Sequence, residues 1–135
     1  MIIAIDFDGT LCDHRFPEIG KEVPLAFKYL KEFQETGAKL ILWTMRSDGR
    51  EDGFDPLTEA IEWCKKRGIE FWSHNSNSEQ SSWTSSPKCY ANMYIDDAAF
   101  GCPLCENPRS GGRPFVDWDI VGPAVLELLT KGDNE

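Results

Sequence analysis

Four short apolar runs, each closing on a polar residue, constrain this chain more than any other feature. Ile2 to Phe7 is apolar and β-branched, broken at Asp6. Lys39-Leu40-Ile41-Leu42-Trp43 leads into Thr44, Ile69 to Ser73 follows, and Met93-Tyr94-Ile95 ends at Asp96-Asp97. Runs this short and this β-branched predict strands buried on both faces, the habit of parallel sheets. Helical spacing fills the first two gaps. Leu25, Phe27, Leu30 and Phe33 form one apolar face, with Pro24 suited to the first turn and Gly37 to the residue past the end. Leu57, Ala60, Ile61 and Cys64 form another, opened by Asp55 as N-cap and Pro56, and closed by Gly68. A last helix, from about Asp119 or Pro123 to Lys131, would bury Val121, Val125, Leu128 and Leu129. Strands alternating with helices predict right-handed crossovers and an α/β fold, its ligands at the carboxyl ends of the strands. The chain is 135 residues long, which suits one domain spanning 1–135.

The balance of charge narrows the partners. Fourteen Lys and Arg against twenty-three Asp and Glu leave a net charge of −9. That disfavours a nucleic-acid binder that works by blanketing phosphates, and equally an anionic membrane surface. Lys65-Lys66-Arg67 is the one basic cluster, at a predicted helix end remote from the strand carboxyl ends. There is no run of the ~18 apolar residues a membrane span needs, and the N-terminus lacks the basic start and cleavage site of a signal peptide. Five cysteines in such a chain point to thiols in a reducing cytoplasm.

The strand ends collect the chemistry. Asp6 closes the first strand, with Asp8 two residues on; Thr44 closes the second; Lys88 precedes the fourth, which ends in Asp96 and Asp97. Four carboxylates, a hydroxyl and an ammonium are thus expected at one sheet edge. Unpaired carboxylates repel and raise one another's pKa. A hard divalent cation relieves this, and Mg²⁺ suits a few carboxylates plus water and a substrate phosphate.

Asp6-Phe7-Asp8-Gly9-Thr10 after an apolar strand resembles the first motif of the haloacid dehalogenase superfamily, the aspartate-nucleophile phosphatases. Thr44, Lys88 and Ile95-Asp96-Asp97 resemble the second, third and fourth, in family order. The resemblance implies a Rossmann-like, three-layer α/β/α fold and a Mg²⁺-dependent phosphohydrolase. Asp6 would be the nucleophile that forms an aspartyl-phosphate, and Asp8 the general acid and then base. Thr44 and Lys88 would bind the phosphoryl group, and Gly9 would let backbone amides approach it. The cation would be held by Asp6, the Asp8 carbonyl, Asp96 and, directly or through water, Asp97. Asp8 points to phosphate esters, because halide- and phosphonate-cleaving members lack an acid there.

Residues 11–37 offer a loop and one helix, and 74–87 a loop, so neither holds a cap domain. The chain therefore resembles the capless subgroup, and within it a small set of bacterial and phage proteins sharing His-Arg-Phe-Pro at 14–17 and Asp-Trp at 117–118. A phosphorylated substrate, small or large, is implied, and a monomer or weak homo-oligomer is expected. Loops 46–54, 74–87 and 101–114 are long enough for partial lids, with Trp83 a candidate cover. His14, Arg15, Arg46, His74 and Asn75 follow strand ends and are candidate substrate contacts. Arg46 is placed to fork onto a carboxylate or a second phosphate, and His14 stands beside it in the substrate-binding set. Cys102-Pro103-Leu104-Cys105 lacks a second close-spaced pair, so a plain loop is favoured over a zinc site. Two other functions compete. A receiver-like or pseudo-enzyme signalling module shares the acids, hydroxyl and lysine but lacks the second acid that Asp8 supplies. A nucleic-acid end phosphatase fits the chemistry but not the charge.

Overall fold

The computed structural model describes residues 1–108 and 112–132. Four parallel strands form the main sheet: β1 (Ile2–Ile5), β2 (Lys39–Leu42), β3 (Ser73–His74) and β4 (Met93–Ile95), in the order β3-β2-β1-β4. Ile3 stands opposite Leu40 and Met93, and Ile5 opposite Leu42 and Ile95. The helices are α1 (Ala26–Glu35), α2 (Pro56–Lys65) and α3 (Trp118–Gly132), with a 3₁₀ turn at Gln80–Ser82. Two further strands, β5 (Leu104–Cys105) and β6 (Phe115–Val116), pair antiparallel. No helix among the described residues is long and apolar enough to cross a membrane. All five cysteines are free thiols.

The two faces of the sheet are covered differently. Side chains alternate along a strand. Ile3, Ile5, Leu40 and Leu42 therefore share one face, where residues of all three helices join them in the main core. Ala4 and Ile41 share the other, covered by Cys89 with Ile2, Trp43, Trp72 and Ala91. Among the described residues, no α-helix contributes there. The expected three-layer arrangement is thus corrected: the second layer is the 75–91 segment with its single 3₁₀ turn. That segment is rich in serine and poor in aliphatic residues, so it has no apolar stripe with which to build a helix.

Two local details differ from the sequence expectation, and a third decides between the two starts it offered for the last helix. The third strand lies at Ser73–His74 and not Ile69–Ser73, because Ile69 turns into the helical core after Gly68, whose φ is +85°. Trp72 and Asn75 extend the ladder, donating to the carbonyls of Leu40 and Leu42. The first turn of α2 is capped by Asp48 and not by Asp55. Asp48 Oδ1 accepts from the amides of Leu57 and Thr58, both at 3.0 Å, while Asp55 accepts from Gly49. Finally, α3 starts at Trp118 and carries Pro123 inside it. Any side chain at Gly122 would overlap the Tyr29 ring, so the glycine lets α3 approach α1 closely.

A candidate carboxylate site at the strand ends

The loop after β1 is wound tightly. The Phe7 carbonyl accepts from the amides of Thr10 (3.1 Å) and Leu11 (2.8 Å), and Gly9 N–H donates to Cys12 O (2.7 Å). Two bonds pin this loop to the C-terminal part of the chain: Trp118 Nε1–H to Thr10 O (2.7 Å) and Val116 N–H to Gly9 O (3.0 Å). Buried Trp118 thus ties the start of α3 to the first motif.

Asp6 follows β1 directly and Asp96-Asp97 follow β4, its neighbour in the sheet. One carboxylate oxygen from each lies within 4.8 Å of the other two. Thr10 joins them: its hydroxyl donates to Asp6 Oδ2 (2.9 Å) and accepts from Asp97 N–H (3.3 Å). Burial, with Asp97 and Asp96 beside it, pushes the Asp6 pKa up to about 8. Burial, and then the Asp97 charge, raises that of Asp96 as well. Three hard oxygens crowded at this cost form a donor set that fits a hard divalent cation.

His14 joins the same cluster, its Nε2 at 2.7 Å from Asp97 Oδ2. Both groups sit over Gly9, where any Cβ would overlap His14 Nε2 and Asp97 Oδ2, and where φ is +86°. Gly9 was expected to let backbone amides approach a phosphate. Its N–H is spent on Cys12, and the glycine is required by its backbone angle and by the room His14 and Asp97 need.

Asp8 is not one of the trio and pairs instead with a buried cation. Arg46 Nε donates to Asp8 Oδ2 (2.9 Å) and Nη2 to Oδ1 (2.8 Å), a bidentate fork. Arg46 is only 2% exposed. It also donates to the carbonyls of Glu18 (2.8 Å), Pro17 (3.3 Å) and Pro56 (3.5 Å), and lies over the rings of Phe7 and Phe16. Of its two expected partners it takes the carboxylate. Its burial and its full set of bonds remove it from direct substrate contact.

Thr44 lies two residues beyond β2. With Asp6, Trp43, Met45, Asn75 and Asp96 it lines an open cleft of about 330 Å³. Thr44 Oγ1 accepts from Arg46 N–H (3.1 Å) and donates to no group among the described residues, so its hydroxyl hydrogen is available. Asn75, at φ +52°, clips this turn: its Oδ1 accepts from Thr44 N–H (2.7 Å) and its Nδ2 donates to Arg46 O (3.2 Å). Sequence flagged Asn75 as a substrate contact, and here it holds the backbone of the turn.

Lys88 is not brought to Asp6. Its side chain is exposed and lines a separate groove with Trp83, Tyr90 and Tyr94, which shares no lining residue with the Asp6 cleft. Trp83 meets Tyr90 edge to face there, away from the carboxylates it was expected to cover. The basic cluster is largely paired: Arg67 bonds Glu22 and stacks on Trp63, and Lys65 lies 3.9 Å from Glu70. Among the described residues, the aspartate trio is the group of acids, histidines and cysteines that could hold a metal, and Cys102 and Cys105 are not part of it.

No family model matches the chain, and no curated protein does. A solved structure does: a conserved protein coded by a locus of Bacteroides thetaiotaomicron. It is 39% identical, the match covers 95% of this chain and 91% of that one, and the TM-score is 0.73. This chain belongs to the family of that protein. Likeness over nearly the whole length of both chains shows that they share the α/β fold.

Proposed function

We propose that this chain is a Mg²⁺-dependent phosphohydrolase of the haloacid dehalogenase type, cleaving phosphate monoesters through an aspartyl-phosphate on Asp6. The observation that carries the reading is the trio of Asp6, Asp96 and Asp97 at the ends of adjacent parallel strands, with Asp6 opening into a cleft. Three carboxylates held this close, one with its pKa at about 8, suit a site whose cation is part of its working form. Asp6, Asp96 and Asp97 would hold Mg²⁺, which supplies positive charge to the phosphoryl group and keeps Asp6 ionised at neutral pH.

The chain's own residues divide the remaining work. Asp6 attacks phosphorus, and Thr10 fixes its rotamer through Oδ2. Thr44 turns its free hydroxyl hydrogen to a phosphoryl oxygen. Asp8 protonates the leaving oxygen and then takes the proton of the attacking water. The Arg46 fork holds it in one orientation; Oδ1 also accepts from the Cys12 thiol, and Oδ2 keeps a second lone pair for proton exchange. The capless reading is supported by residues 6–25, which form turns and isolated bridges, and by 75–91, which holds one short 3₁₀ turn. Lys88 is left out of the working set.

The test is turnover of an aryl phosphate by the full chain with Mg²⁺. Asp6→Asn and chelation by EDTA should each abolish it. Wild-type rates from Asp6→Asn would overturn the assignment.

A further inference from the structure

The walls of the Asp6 cleft differ in kind. Asp6, Asp96, Thr44 and Asn75 supply its polar lining, and Trp43 and Met45 its apolar lining. Met45 is 99% exposed. An unbranched apolar side chain standing in water beside a charged cluster gains free energy when something apolar covers it. Among the described residues that line the cleft, none carries a cation. Arg46, the next residue along, is buried and committed to Asp8 and three carbonyls, and Lys88 lies in the other groove. A substrate with a second phosphate or a carboxylate would therefore bring an unpaired anion into an acidic cleft, which repels it. At about 330 Å³ the cleft is near the small end of ligand sites, room for a phosphoryl group and roughly one ring.

We propose that the cleft takes phosphate monoesters of uncharged, apolar or aromatic alcohols, with Trp43 and Met45 as the specificity-determining contacts to the leaving group. This rests on the phosphohydrolase reading above. It selects against bisphosphates and against monophosphates of polar polyols.

The test compares kcat/KM of the full chain with Mg²⁺ for benzyl phosphate, glycerol 1-phosphate and fructose 1,6-bisphosphate. The first two are esters of primary alcohols, so their difference reports recognition. Acetyl phosphate reports the phosphoryl chemistry alone. Benzyl phosphate should exceed glycerol 1-phosphate by about tenfold or more, the scale of one well-placed apolar contact, and the bisphosphate should be slowest. Met45→Ser, at a fully exposed position that folding does not use, should cut the benzyl-to-glycerol ratio by about tenfold. Trp43→Ala should cut it further. If acetyl phosphate is hydrolysed but benzyl and glycerol esters are equal, the bisphosphate is preferred, or Met45→Ser leaves the ratio unchanged, the specificity proposal falls and the phosphohydrolase reading stands. If acetyl phosphate and all three esters survive, both fall.

Discussion

Asp6 and Arg46, which follow neighbouring strands, carry opposite electrostatic situations. Asp6 is crowded by its own kind, and its pKa of about 8 has a stability consequence. In the unfolded chain it ionises near 4. Between the two values the folded state binds more protons than the unfolded state, so this group's contribution lowers stability as pH rises from about 4 to about 8, then levels off. With EDTA present, the melting temperature of wild type should fall over that range relative to Asp6→Asn. Saturating Mg²⁺ should remove the difference in slope, because the cation replaces the proton. Parallel curves for the two proteins in EDTA would contradict the crowding. Arg46 is the reverse case, a cation whose bonds are all satisfied inside the protein. Arg46→Ala leaves Asp8 and three carbonyls without their partner, and should cost about 3–5 kcal/mol in chemical denaturation. Arg46→Lys should recover only part, since an ammonium cannot make the fork.

At the scale of elements, the structure separates what a local pattern encodes from what it does not. The fourth strand, Met93–Ile95, is legible to the residue because loops bound an apolar run that has nowhere else to pack. The third is displaced because Ile69 had two apolar destinations, sheet or helical core, and periodicity does not distinguish them. The α2 cap shows the same limit. Asp55 stands at the expected position, yet the acceptor comes from Asp48, seven residues earlier, by way of a loop whose path no spacing rule predicts. Asp48→Ala should therefore lower the denaturation midpoint, and Asp55→Ala should lower it distinctly less, both read by denaturant melts. Equal losses would return the cap to Asp55. The bond from the Thr58 hydroxyl holds the Asp48 carboxyl below the usual carboxylate range, in keeping with that role.

For the whole molecule, a parallel sheet with its acids at the carboxyl ends was written plainly in the order of strand and helix patterns. Asp6, Asp96 and Asp97 follow strands that become neighbours, so topology alone brings them together. Residues on loops were not so legible. Lys88 was placed by its order in the chain, but the 75–91 segment carries it to another groove. Arg46 was legible as a fork and not as a fork that closes on Asp8. His14 was visible as polar near the site, whereas its bond to Asp97 over Gly9 depends on a glycine with positive φ. The account stands or falls on Asp6 as the group that accepts the phosphoryl. The direct measurement is to quench the full chain in acid during turnover of acetyl phosphate with Mg²⁺, reduce with borohydride, and locate the modified residue by peptide mass spectrometry. Conversion of Asp6 to homoserine, absent without Mg²⁺, is the predicted result. Continued turnover with Asp6 unmodified, or with another residue modified in its place, would contradict it.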